Sequence, residues 1–242
     1  MLPEVHRTAS LDALSRIAAE LICAAAAQSV ESCGAFTLVL SGGNTPGPLY
    51  EILADPPLGC HMPWADIHLF WGDERWVPPN HPDSNFGMAA KNLLAHIDIP
   101  TANLHPIHTD RRTPEDAAKD YENELRNYFI NAPSRKSGFD MVLLGMGTDG
   151  HTASLFPDSP AMNITDRLVA AVRAPDASPA VDRVTLTLPA LNRANDVLFL
   201  ISGREKMDLM QAILTKPEAK ARLYPAARVR PRKRLLWLAT PG

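Results

Sequence analysis

Ser10 precedes Leu11, Leu14, Ile17, Ala18, Leu21, Ile22 and Ala25, apolar positions three and four apart with Gly34 following as a stop. That spacing predicts a capped helix with one buried face. The five residues from Phe36 to Leu40 are β-rich and end at Ser41-Gly-Gly-Asn-Thr-Pro46, where Pro46 suits the first turn of a helix continued by Leu49, Tyr50 and Leu53. The alternation repeats down the chain. Strands are predicted over 67–71, 139–144, 168–172, 184–188, 197–201 and 235–238, and helices over 86–94, 115–129 and 204–214.

Short, nearly continuous apolar strands alternating with amphipathic helices predict an α/β protein. The expected form is Rossmann-like: a mostly parallel open sheet with helices on both faces, plus a smaller appended lobe. No internal repeat interrupts the pattern. The Pro-rich stretch 174–179 is the expected lobe junction, too short to separate independent domains, so residues 1–242 are read as one domain. The longest apolar run, 21–27, is alanine-rich and too short to span a bilayer.

Composition narrows the function. A formal net charge of −3 gives no global positive field toward nucleic acid or anionic membrane. The basic run Arg228-Val-Arg-Pro-Arg-Lys-Arg234 has no interleaved aromatics and precedes a strand, which favours a solvated face. Cys23, Cys33 and Cys60 are odd in number and irregularly spaced, so no disulfide framework or zinc ribbon is expected; two could still pair on folding, but a reducing compartment is the simpler reading. Residues 1–10 have no signal-peptide core, which points to the cytoplasm. The remaining histidines form no His-Glu-x-x-His pattern, so neither metal nor cofactor is expected. The expected partner is a small molecule, with no nucleic acid or membrane, and the chain is expected to be a monomer or small homo-oligomer.

In such sheets, ligands collect beyond the carboxyl ends of the strands. Three predicted strands end in loops suited to this. The turn holding Ser41, Gly42, Gly43, Asn44 and Thr45 leads into a helix, so its amides and the helix N-terminus can cradle one phosphate. Trp71-Gly-Asp-Glu-Arg75 places Asp73 to handle a proton and Arg75 to bind an oxyanion, although a plain surface ion pair is the commoner outcome. Gly145-Met-Gly-Thr-Asp-Gly-His151 contains a dinucleotide-like glycine pattern, but Pro157 arrives too early for the long helix that fingerprint needs. The step Asp149-Gly-His151 is more informative. Gly150 permits a sharp turn presenting both side chains to one cavity, and an imidazole with an unperturbed pKa of about 6.5 deprotonates water near neutrality. Arg183, before one strand, and Lys206, in the first turn of a helix, are candidate anion ligands.

Ser41-Gly-Gly-Asn-Thr-Pro46, Asp73-Glu-Arg75 with Val77-Pro78 and Ser84-Asn85, the 145–157 segment through Ala-Ser-Leu-Phe-Pro157, Arg183-Val-Thr-Leu-Thr187 and Gly203-x-x-Lys206 occur in that order. Together they closely resemble the 6-phosphogluconolactonases of the glucosamine-6-phosphate isomerase/6-phosphogluconolactonase superfamily. The resemblance implies hydrolysis of 6-phospho-D-glucono-1,5-lactone in the oxidative pentose phosphate pathway. It implies His151 as general base, with Ser41, Gly42, Gly43, Thr45, Arg183 and Lys206 around the phosphate and sugar. Asp73, Arg75 and Asp149 would line the reacting end, and either carboxylate could orient His151. Two rivals stand beside this reading. The amino-sugar isomerase/deaminase branch carries an acidic residue five positions after the motif histidine, where this chain has Phe156. A non-catalytic sugar-phosphate sensor would not need the Asp149/His151 pair.

Overall fold

The computed structural model describes residues 3–55, 62–131, 138–175 and 177–242; Cys60 and His61 lie outside the described residues. In chain order the strands are β1 (Glu4–Arg7), β2 (Phe36–Leu40), β3 (Ile67–Trp71), β4 (Asp73–Arg75), β5 (Leu104–His105), β6 (Met141–Leu144), β7 (Val169–Val172), β8 (Arg183–Leu186), β9 (Asp196–Ser202) and β10 (Arg234–Thr240). The helices are α1 (Leu11–Cys33), α2 (Gly47–Ala54), α3 (Asn85–Asn92), α4 (Pro114–Asn131), α5 (Leu188–Leu191), α6 (Arg204–Thr215) and α7 (Pro217–Lys220). The first helix begins and ends as its sequence predicts. The Ser10 side chain accepts from the Ala13 amide, and Gly34 closes the helix with φ 76°.

Seven strands pair in parallel in the order β1-β10-β9-β6-β2-β3-β5. Successive side chains of a strand point to opposite faces, so a strand buried at every position has both faces covered. β2 and β6 are buried throughout, as their apolar runs predict. A second, antiparallel sheet of order β4-β8-β7 forms the smaller lobe. Gly72 alone separates β3 from β4. Its carbonyl accepts from the Leu186 amide and its own amide donates to the Leu40 carbonyl, which ties the two sheets together.

Several expectations need correction. The 174–179 loop does not join two lobes: it connects β7 to β8 within the small sheet. The apolar run around 21–27 belongs to a 23-residue helix with an 18-residue window of mean hydropathy 1.3, which is long and apolar enough to cross a membrane. Leu14, Ala18, Ile22 and Ala26 of that helix are instead fully buried in the core. Cys23 is disulfide-bonded while Cys33 is free and exposed. Irregular spacing did not exclude a pair, because pairing depends on where tertiary packing brings two thiols. The basic run is a solvated face as expected: Arg230, Arg232 and Lys233 are exposed, and the main chain is held by bonds from Arg232 to Ala194 and from Lys233 to Asn195.

Candidate active site

From β2 the chain moves to β3 on one side, and it later returns through β6 to β9 and β10 on the other. Strand order therefore reverses between β2 and β6, where an open α/β sheet leaves a crevice. A cleft of about 160 Å³ lies there. Ser41, Gly42, Gly43, Asn44 and Thr45 line it after β2; Asp73 and Arg75 come from β4, His151 from the turn after β6, and Lys206 from α6. Asp149 and Arg183 do not line it.

The turn after β6 is closed by its own main chain. The Gly147 amide donates to the His151 carbonyl at 2.9 Å, and the Gly150 amide donates to the Gly147 carbonyl at 3.1 Å. Gly150 has φ 79°, a left-handed conformation that side-chain-bearing residues rarely take. No helix follows these glycines. A Thr152–Leu155 bridge comes next, which agrees with the rejection of a dinucleotide fingerprint. The result places Asp149 Oδ1 2.6 Å from His151 Nδ1. A carboxylate only accepts, so Nδ1 carries the hydrogen and Nε2 of the neutral ring is the basic nitrogen. Partial burial works against ionisation of Asp149, but hydrogen bonding and the charge of His151 outweigh it and hold its carboxyl below the usual range. Of the two carboxylates left open by the sequence, the one paired with His151 is Asp149.

Asp73 is held elsewhere. Its Oδ2 accepts from Ser154 Oγ at 2.6 Å, and its Oδ1 and carbonyl accept from Asn85 Nδ2 at 3.2 and 2.8 Å. The surface Asp–Arg pair does not form; Arg75 Nη1 donates to the Asp83 carbonyl. Asn85 also packs under the glycine turn, so closely that a methyl group on Gly42 would overlap its carboxamide. Beneath them lies Glu74, only 2% exposed. Its carboxylate accepts from the amides of Arg75, Asn85 and Phe86 and from Ser84 Oγ, fastening the N-terminus of α3 to β4.

Burial pushes the Glu74 carboxyl up to about 7, against the opposing pull of the Phe86, Asn85 and Arg75 amides. A carboxyl with a raised folded pKa binds its proton more tightly in the folded state. Its contribution therefore favours the fold at low pH and declines as pH rises from 4.5 to about 7. Urea unfolding across that window should show a less steeply falling stability in Glu74→Gln than in the parent. Equal slopes would remove Glu74 as the source.

At the other end, the Tyr50 hydroxyl accepts from the Ser41 amide at 2.9 Å and donates to the Ser41 carbonyl at 2.7 Å. The Ser41 amide is thus already used. Among the described residues, nothing accepts from the amides of Gly42, Gly43, Asn44 and Thr45. Those donors and Lys206, which lines the same cleft, are chemically suited to an anion. Arg183 is 3% exposed and faces Arg75 across the β4–β8 pair. Burial first, then the like charge of Arg75, pushes its pKa down. Its Nη2 donates to the Pro179 carbonyl, while Nε and Nη1 are buried without partners. It adds positive charge behind Arg75, one layer deeper than the sequence suggested.

Tyr50, Glu74, Asn85 and Ser154 were given no role by sequence reasoning. Glu74, Asn85 and Ser154 stand within the ordered motifs, but only the docking of α3 on β4 and of the 151–155 segment on Thr185 reveals their purpose. The Ser154 amide donates to Thr185 Oγ1 at 3.1 Å. His68 and His105 lie apart from the cleft and meet at 3.0 Å, with Glu124 2.6 Å from the other His105 nitrogen.

A family model described as glucosamine-6-phosphate isomerases/6-phosphogluconolactonase matches residues 9–237. A 6-phosphogluconolactonase of Synechocystis is 43% identical over 98% of this chain and 95% of its own. One from Haemophilus influenzae is 38% identical over 79% of this chain and 78% of its own. The crystal structure of the Thermotoga maritima 6-phosphogluconolactonase superposes with a TM-score of 0.83 at 34% identity, covering 98% of this chain and 99% of that one. Family model, relatives and fold agree over nearly the whole length, and the chain belongs to the glucosamine-6-phosphate isomerase/6-phosphogluconolactonase family.

Proposed function

We propose that this protein hydrolyses 6-phospho-D-glucono-1,5-lactone to 6-phosphogluconate, the lactone-opening step of the oxidative pentose phosphate pathway. The observation that carries the reading is His151 on the wall of a cleft also lined by the 41–45 turn and Lys206, with Asp149 2.6 Å from its Nδ1. The phosphate sits against the free amides of the turn and Lys206, which orients the lactone carbonyl toward His151. Nε2 of His151 takes a proton from water as the water oxygen attacks C1. Asp149 stabilises the imidazolium that forms. Negative charge gathers on the carbonyl oxygen, and Arg75 on the cleft wall supplies positive charge for it. The C1–ring oxygen bond then breaks, and the imidazolium returns its proton to the leaving ring oxygen.

Proton transfer between neighbouring sugar carbons is the rival chemistry, and it uses an acidic group that this chain lacks. Phe156 stands there, its ring centroid 4.9 Å from that of His151. An apolar ring beside the imidazole suits water activation and offers no second proton carrier. A soluble setting belongs to the same proposal, supported by the packing of α1 into the core.

The test is a coupled assay on freshly generated lactone, corrected for spontaneous opening, run beside an ammonia-release assay on glucosamine 6-phosphate. Lactone opening without ammonia release is expected; ammonia release without lactone opening overturns the reading. Within that assay Lys206→Ala should raise KM roughly tenfold or more, with kcat changed less, as expected for loss of a charge-assisted phosphate contact of about 1.5–3 kcal/mol. An unchanged KM would place the phosphate elsewhere.

A further inference from the structure

After α6, which carries Lys206, the chain runs through α7 and folds back toward the histidine turn. Leu223 and Tyr224 both donate their amides to the Lys220 carbonyl, and Pro225, Ala226 and Ala227 are buried. The Ala226 amide donates to the Gly150 carbonyl at 3.0 Å. Just before it, the Tyr224 ring lies flush against Gly150. A methyl group there would come 2.5 Å from Cδ1 and 2.8 Å from Cγ. The Lys220 ammonium lies 5.5 Å from the centroid of the same ring. The returning segment is itself anchored, because the Arg228 carbonyl accepts from Asn192 Nδ2.

Gly150 is the pivot between Asp149 and His151. Glycine is the residue with the widest conformational freedom, and rotation about this one would separate the two groups of the dyad. The 147–151 main-chain bonds close the turn on its own side; on the outer side the Ala226–Gly150 hydrogen bond holds the carbonyl and the Tyr224 ring packs on the Cα. We infer that Tyr224 is a positioning residue for the reaction, its ring clamping Gly150 so that Asp149 and His151 stay paired at the cleft. The nearest Tyr224 atoms are Cδ1 and Cγ of the ring and then Cβ, so the ring and not the hydroxyl is what the role requires. The inference deepens the lactonase reading and rests on it for its kinetic consequence.

The experiment compares Tyr224→Ala and Tyr224→Phe with the parent by steady-state lactone kinetics, normalised to folded protein, and by amide hydrogen exchange. Tyr224→Ala should lose roughly 10- to 100-fold in kcat with KM within about twofold, the scale of a misplaced catalytic group. Tyr224→Phe should restore kcat to within about twofold of the parent. Exchange at the Gly147 and Gly150 amides should quicken in Tyr224→Ala, while β6 amides stay protected. A parent-like kcat in Tyr224→Ala, a KM that rises in step with the loss of kcat, or a phenylalanine variant as slow as the alanine one each overturns the inference. If the parent itself does not open the lactone, the proposed function fails. The exchange comparison then decides the clamp alone, and unchanged exchange sinks it.

Discussion

Replacing His151 with alanine should lower kcat for lactone opening by roughly 10²–10⁴-fold while leaving the fold in place, the usual range for loss of a general base. Two features of the structure support so large an effect. Asp149 fixes the ring through Nδ1, so the basic nitrogen is committed to one direction, and among the described residues no other imidazole lines the cleft to take its place. The fold should tolerate the change because the His151 side chain is 35% exposed and Asp149, 48% exposed, remains solvated without its partner. Stopped-flow kinetics together with far-UV circular dichroism would measure both halves. A variant within a few-fold of the parent would show that the lactone opens by another route and that His151 only lines the cleft.

Gly147→Ala should be almost as damaging, although the residue touches no substrate in this account. The added methyl group would run into His151 Nδ1 and Asp149 Oδ1 at the point where they meet, so the dyad packs over a bare Cα. The backbone at Gly147 lies outside the left-handed range, and glycine is required there for space alone. Displacing the pair by about an ångström should cost roughly 10²-fold in kcat, with KM little changed because the added methyl group meets the dyad and not the 41–45 turn. A parent-like kcat would mean that the dyad can shift without losing its function. Retained kcat with raised KM would move the damage to binding.

Most of the large sheet can be read from the sequence because its strands are buried on both faces and its helices obey clear end rules. Ser10 and Gly34 bound α1 in the structure as they do in the pattern. The strands that escaped notice are those with no apolar signal. β1 is exposed at all of its positions, and β4 and β5 are too short to show a period. The 174–179 loop misled because proline content marks a turn without saying which elements it joins. At the site, residues that follow a strand directly were legible, since topology carries them to one sheet edge. Glu74 and Asn85 were not, because their roles arise from the N-terminus of α3 docking eleven and twelve positions away in sequence. Arg183 was legible as a cation, but its depth behind Arg75 depends on the cross-strand register of a three-residue strand.

The most direct measurement is a crystal structure of the protein with 6-phosphogluconate bound. The phosphate should lie on the amides of Gly42 to Thr45 within reach of Lys206, and the C1 carboxylate within hydrogen-bonding distance of His151 Nε2. A product bound in the opposite sense, with its phosphate at His151 and its carboxylate at the glycine turn, would contradict the account.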